Sequence, residues 1–309
     1  DKILYEYMPR LKWDIIKIFD KNKLGKVKSI KKFDVGFTND VFLINDRFVV
    51  KICRQLSHEN DFKKEIFFYD IFKNKLPVPR ILVQDTSKKA INRYYFIYKK
   101  IEGDNLYSKW HLLNGRQRKD IIRQICKILK IINKTYKSKK INWHAQRYKE
   151  LKKLLKKVKN KHILPIDFIE RIGVFIDKNH KLLYEQKPGL VYWDLHFDNI
   201  LIKNAKIVGL LDFEGVEVRS IDNVLDSVRR MRDYPQIYAS KESKKFIKKK
   251  DYSNLLGWFS DFYPELFNFK ELNKRLDLYS IEYDLSLLLD FPHSKDLKKR
   301  LARTIHVQS

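Results

Sequence analysis

Hydrophobic and polar positions divide the chain into a short strand-rich part and a longer helical part. Ile30–Val35, Val41–Ile44 and Arg47–Ile52 are β-rich runs, and Asn45-Asp46 between the last two is a tight-turn pair. Gly36-Phe37-Thr38-Asn39-Asp40 links the first run to the second. Residues 58–75 read as a helix. Ser57 is placed to cap it, Glu59, Asp61 and Glu65 lie toward its N-terminal half, and Leu76-Pro77-Val78-Pro79 ends it. Strands follow at Arg80–Gln84 and Tyr94–Lys99. Beyond Gly103 the period becomes helical: Ile121, Ile125, Ile128, Leu129 and Ile132 share one face, as do Leu151, Leu154, Leu155 and Val158 with lysines opposite. Residues 190–211 interrupt this pattern with the apolar Leu190-Val191-Tyr192-Trp193 and a hairpin at Ile200–Ile202 and Ile207–Leu211. The pattern predicts an α+β chain without internal repeats, its small strand-rich lobe joined to a larger helical lobe near residues 99–103.

Composition narrows the class. The 309 residues are 44% hydrophobic, enough for a sizeable core, and few Gly and Pro argue against disorder. Cys53 and Cys126 lie in apolar stretches and read as buried free thiols, not a disulfide framework or a zinc site. Neither a signal peptide nor a membrane span is found, so a cytoplasmic location is expected. The net charge of +28 leaves two readings open. One is binding to nucleic acid or an anionic surface. The other, favoured because the lysines are dispersed and no nucleic-acid motif accompanies them, is solvated helix faces.

The densest chemistry lies in Asp194-Leu195-His196-Phe197-Asp198-Asn199 and Leu211-Asp212-Phe213-Glu214. Phosphoryl transfer needs a carboxylate to orient and deprotonate the attacking hydroxyl, and oxygen ligands to hold Mg²⁺ on the phosphates. Asp194, Asn199 five residues later and Asp212 beyond a hairpin supply those groups. Lys51 ends an apolar strand run, and Glu65 shares a helix face with Phe62 and Tyr69. A lysine held by a buried glutamate can reach phosphate oxygens, whereas either charge buried alone would be costly.

With these pieces in this order, the chain resembles the aminoglycoside phosphotransferase and choline kinase group of protein-kinase-like enzymes, from about residue 30 to at least 232. The resemblance rests on Gly36-x-x-Asn39, Val50-Lys51, Glu65, Leu76-Pro77-Val78-Pro79, Ile101-Glu102-Gly103, Asp194-x-x-x-x-Asn199 and Leu211-Asp212-Phe213. It implies a two-lobed protein-kinase-like fold, with a nucleotide-binding lobe over 1–100 and a helical lobe over 101–309. It also implies roles: Asp194 as the catalytic carboxylate, Asn199 and Asp212 on magnesium, Lys51 on the α/β-phosphates and paired with Glu65. The Gly36–Asn39 turn would cover the phosphates. Lys99–Ile101 would form the hinge that binds the base, with Tyr98 behind it as a simple wall or as a selector of GTP over ATP. No long Gly-rich loop or activation-segment signature is present, which favours a small-molecule substrate over a protein. Tyr192-Trp193 departs from the family's usual His-Gly or His-Asn before the catalytic Asp, and bulky Trp193 would shape the acceptor pocket. His196, Asp222 and Asp226 read as structural, the acids bracing the loop against backbone or an arginine such as Arg229.

The acceptor is less defined. Residues 251–290 hold eight acids against three bases in an otherwise basic protein. Asp261 and Glu265, with Glu214 and Trp193, are acceptor-site candidates for a cationic small molecule. Aromatics Trp258, Phe259, Phe262, Tyr263 and Tyr283 would box an ammonium group or stack on sugar rings; in the other reading the acids neutralise surface lysines and the rings are core. The expected activity is transfer of the γ-phosphoryl of ATP or GTP to a hydroxyl of an aminoglycoside-like or other amino-sugar acceptor, with antibiotic resistance as one role. A choline- or ethanolamine-type kinase and a catalytically weak pseudokinase or basic scaffold are the alternatives. A monomer or weak dimer is expected.

Overall fold

The structure, a computed structural model, describes residues 2–33, 38–136, 142–237, 239 and 241–306. In chain order the elements are α1 (Lys2–Lys21), β1 (Ile30–Phe33), β2 (Asn39–Ile44), β3 (Phe48–Cys53), α2 (Glu59–Phe72), β4 (Ile81–Asp85), β5 (Tyr95–Lys99), β6 (Asp104–Asn105), α3 (Leu106–Trp110), α4 (Gly115–Thr135), α5 (Trp143–Asn160), α6 (Ile166–Asn179), β7 (Pro188–Tyr192), β8 (Ile200–Lys203), β9 (Lys206–Leu210), β10 (Val216–Ser220), α7 (Val224–Asp233), α8 (Lys241–Lys244), α9 (Leu255–Phe262), α10 (Leu272–Asp290) and α11 (Lys295–His306). They form two compact units, Asp1–Leu112 with Phe197–Val216, and Leu113–His196 with Glu217–Ser309.

The first unit is built on an antiparallel sheet ordered β1-β2-β3-β5-β4. Asn45 and Asp46 both have positive φ (52° and 51°), the backbone that a tight two-residue hairpin demands of its turn. No element is predicted before Ile30, yet α1 lies there. Its Leu11, Ile15, Ile18 and Phe19 recur at helical spacing and bury against Phe42, Ile44, Phe48, Val50, Ile52, Tyr95 and Ile97. Asn39 and Asp40, expected in the link before β2, are its first two residues. Asp40 is wholly buried and is compensated by Lys32 (3.1 Å), Arg54 (3.2 Å) and Arg93 (3.6 Å). The expected Ser57 cap is absent: a 3-10 turn over Leu56–His58 precedes α2, and His58 at the N-cap makes no side-chain capping bond. A three-stranded sheet, β6-β8-β9, completes this unit.

In the second unit, β7 pairs with β10, a strand that the sequence pattern does not predict. Asn133 on α4 donates to the Leu190 carbonyl of β7 (2.5 Å) and accepts from the Tyr263 hydroxyl (2.8 Å). The remaining helices surround a second core. At its centre Arg275, with 0% exposure, donates to Asp222 (2.8 Å), to the Glu185 carbonyl (2.7 Å) and to the Tyr279 hydroxyl (3.1 Å).

Candidate active site

Alternation along β3 decides where Lys51 points. Phe48, Val50 and Ile52 pack toward α1, so Lys51 projects from the opposite face of the sheet. There its ammonium meets Glu65 of α2 (2.6 Å), Glu214 (3.0 Å) and Asp212 (3.3 Å). Burial alone would lower the Lys51 pKa; Asp212, Glu65 and Glu214 reverse this and hold it well above the usual range. Burial pushes the Glu65 carboxyl up, to about 7, against the pull of Lys51. Tyr69, one helical turn after Glu65, donates to Glu65 (2.7 Å) and accepts from the Asp212 backbone N–H (2.9 Å). Burial, then Glu65, pushes that phenol well above its usual range, so it stays a donor.

The β8–β9 hairpin brings the metal-type residues together. Ile200 pairs with Leu210, and the Leu211 N–H donates to the Asn199 carbonyl (2.9 Å), so Asn199 and Asp212 flank the same open end. Gly103 and Gly209 let the chain close on this hairpin. A Cβ on Gly103 would meet Val208 Cγ2 at 2.7 Å, and one on Gly209 would meet Leu201 at 3.0 Å and Ile101 at 3.2 Å. Asp212 itself sits in the left-handed region (φ 59°, ψ 64°), strain that Asp tolerates better than most residues and that recurs at functional sites. Phe213 is buried between Tyr69 and Phe72, which anchors the turn. Glu214 returns to accept from Thr38 Oγ1 (3.3 Å) and from the Asn39 amide. The carboxylate oxygens of Glu65, Asp212 and Glu214 lie within 4.8 Å of one another. Such oxygens suit a hard divalent cation. Glu65 is engaged by Lys51 and Tyr69, and Glu214 by Lys51, Thr38 and Asn39, so Asp212, 40% exposed at its side chain, is the most open of the three.

In the second unit Asp194 follows β7 in a turn, 31% exposed at its side chain and 3.8 Å from His196 Nε2. Ser227 on α7 donates to the Trp193 carbonyl, fixing the residue before it. Tyr192 is fully buried, so it braces the strand end with its bulk. Asp226 pairs with Arg230 (2.6 Å) and Arg229 (3.6 Å), and Asp222 with Arg275 (2.8 Å).

The profile of the phosphotransferase enzyme family matches residues 29–219. The chain belongs to that family. The fold agrees, and the resemblance read from the motifs holds. The ADP-bound aminoglycoside phosphotransferase APH(2'')-Ib superposes with a TM-score of 0.66 at 18% identity, over 94% of this chain and 97% of that one. The gentamicin complex of APH(2'')-IIa gives 0.67 at 18% identity over 100% and 96%. A ternary complex of APH(4)-Ia with ADP and hygromycin B gives 0.67 at 13% identity over 95% and 99%. No curated protein matches the chain in sequence. The enzyme therefore has the protein-kinase-like fold, with a small antiparallel-sheet part and a larger helical part, and is a phosphotransferase acting on hydroxyl groups.

Gly36 of this phosphotransferase lies outside the described residues, while Asn39 is buried at the start of β2. Tyr98 is buried on β5, stacked on Phe96, and burial pushes its phenol far above the usual range. Lys99 is exposed at the end of β5, and Ile101 packs near the β8–β9 hairpin. Asp261 is exposed and held by Lys119 (2.8 Å); Glu265 is exposed without an ion-pair partner among the described residues. Phe259 and Tyr263 are core, and Lys119 and Lys130 already lie over Phe262 and Tyr263. Thr38 and Tyr69 join the site unannounced. Only Tyr69 had a signal, a hydroxyl one helical turn after Glu65.

Proposed function

We propose that the enzyme transfers the γ-phosphoryl group of ATP or GTP to a hydroxyl of a small polyhydroxylated-ring acceptor. The observation that carries this reading is the Lys51–Glu65–Asp212–Glu214 cluster. It joins a buried, compensated ammonium to carboxylates able to hold a cation. Lys51 would contact the α/β-phosphates. Asp212 and Asn199 would hold Mg²⁺, with Glu214 within reach of the same ion, and Mg²⁺ would neutralise the charge on the phosphates. Backbone N–H groups around Asn39 would approach the phosphates, and the chain at Lys99–Ile101 would bind the base, with Tyr98 behind it. Asp194 would orient the acceptor hydroxyl and take its proton, while Trp193 shapes the acceptor side. Solved relatives of the fold include an ADP-bound enzyme and a GDP complex, which supports testing both nucleotides.

The test is release of nucleoside diphosphate on addition of acceptor, with and without Mg²⁺, using ATP and GTP in parallel. Turnover is expected only with Mg²⁺, and Asp212→Asn should lose it. Turnover that survives chelation of the metal, or that persists in Asp212→Asn, would refute the assignment.

A further inference from the structure

If Asp194 is the base, as proposed above, the acceptor hydroxyl lies at that carboxylate, and Trp193 is the residue before it in the chain. The acceptor class inferred below rests on that reading, because it is drawn from what surrounds Trp193 in the helical unit. The Arg219 guanidinium lies 4.8 Å from the Trp193 ring and 5.9 Å from that of Trp143. Tyr283 meets Trp193 edge-on at 6.3 Å and carries Arg230 on its own face at 3.6 Å.

Four carboxylates of the surrounding elements are already engaged by arginines. Glu217 accepts from Arg219 (2.8 Å), and Glu282 accepts from Arg147 (2.5 Å). Asp226 is held by Arg230 (2.6 Å) and Asp277 by Arg229 (2.7 Å). Arginine stays charged at any relevant pH, so these four pairs are neutral as a set. A polyammonium ligand binds through carboxylates that lack a cation; here each ammonium would have to displace a guanidinium from a mostly buried pair. A quaternary ammonium at Trp193 or Tyr283 would sit beside the guanidinium already on that ring and be repelled by it, which a neutral ring would not be.

We propose that the acceptor is an uncharged polyhydroxylated ring, a sugar or cyclitol, rather than a polyammonium aminoglycoside or a quaternary ammonium alcohol. The ring stacks on the partly exposed Trp193 and leaves the arginine–carboxylate balance intact. In the transfer step the acceptor O–H gives its proton to Asp194 and its oxygen bonds to the γ-phosphorus. The bond from that phosphorus to the bridging oxygen breaks, leaving nucleoside diphosphate and a ring phosphate.

Calorimetric titration of the whole chain, loaded with Mg²⁺ and a non-hydrolysable nucleotide analogue, decides this. One set of titrants is glucose, galactose, mannose and myo-inositol; the other is kanamycin, gentamicin and choline. Saturable binding of a member of the first set, at least about tenfold tighter than any of the second, is the expected result. Kanamycin, gentamicin or choline binding as tightly as the best neutral ring overturns the acceptor class and leaves the phosphotransferase reading intact. Binding of neither set also overturns it. The kinase reading is judged separately, by Mg²⁺-dependent loading of the analogue and its loss in Asp212→Asn.

Discussion

At the scale of single residues, Tyr69 tests how the site is held. Its hydroxyl joins Glu65 to the backbone of Asp212, so one oxygen positions both the lysine partner and the strained turn. Tyr69→Phe leaves a buried carboxylate oxygen and a backbone N–H short of a partner, which costs about 1–3 kcal/mol. Urea unfolding should show that loss, and the apparent Mg²⁺ affinity should fall with it; an unchanged midpoint would mean that Tyr69 does not brace the site. Asp40 makes a similar point for the sheet. Asp40→Asn strands Lys32, Arg54 and Arg93 around a wholly buried site, and a loss of about 3–5 kcal/mol is expected by the same measurement. Much of the site was readable at this scale because Lys51, Glu65, Asn199 and Asp212 are chemically unusual where they stand. The position of Glu214 was not. Its partners Thr38 and Asn39 lie some 175 residues away in sequence, and no local pattern predicts that pairing.

Elements impose their own constraints. The segment at Gly103 lies against the β8–β9 hairpin so closely that a methyl group would meet Val208 and the Ile202 carbonyl. Gly103→Ala should destabilise by about 1–3 kcal/mol, and the second change Val208→Ala should recover part of it in thermal melts. No recovery would show that the close approach is not the cause. At the start of α5, His144 Nε2 lies 2.9 Å from His180 Nδ1 at the end of α6. Burial, and then His180, lowers the His144 pKa below its ordinary 6.5. The unfolded chain therefore binds a proton that the folded chain resists. Stability should be complete above about pH 6.5 and fall as the pH drops through the lowered value. The pH dependence of the melting temperature should flatten in His144→Phe. Strands with turn residues and helices with apolar stripes were legible in the sequence. The strand β10 was not, because its pairing with β7 is a tertiary choice that Val216–Ser220 does not announce. Helix α1 was legible in principle, from Leu11, Ile15, Ile18 and Phe19.

For the whole molecule, charge gives the least local information. The acids of residues 251–290 stand out in sequence as a local negative excess, yet Asp251, Glu282 and Asp284 pair with Arg118, Arg147 and Arg300, all far from them in the chain or on a different helix. Sequence spacing could not show that these three charges are paired, while Glu265 has no ion-pair partner among the described residues. The net charge of +28 remains, and added salt should raise the melting temperature by screening self-repulsion. The order of motifs, by contrast, was sufficient to indicate the fold, because the family that the chain resembles carries the same pieces in the same order. The central claim is that Asp194 is the base of this phosphotransferase. Its most direct test compares wild type with Asp194→Asn in acceptor-dependent release of nucleoside diphosphate, alongside nucleotide affinity and melting temperature. A base at Asp194 predicts a kcat lower by about 10²–10⁴-fold with affinity and melting temperature unchanged. Turnover retained in Asp194→Asn would contradict it.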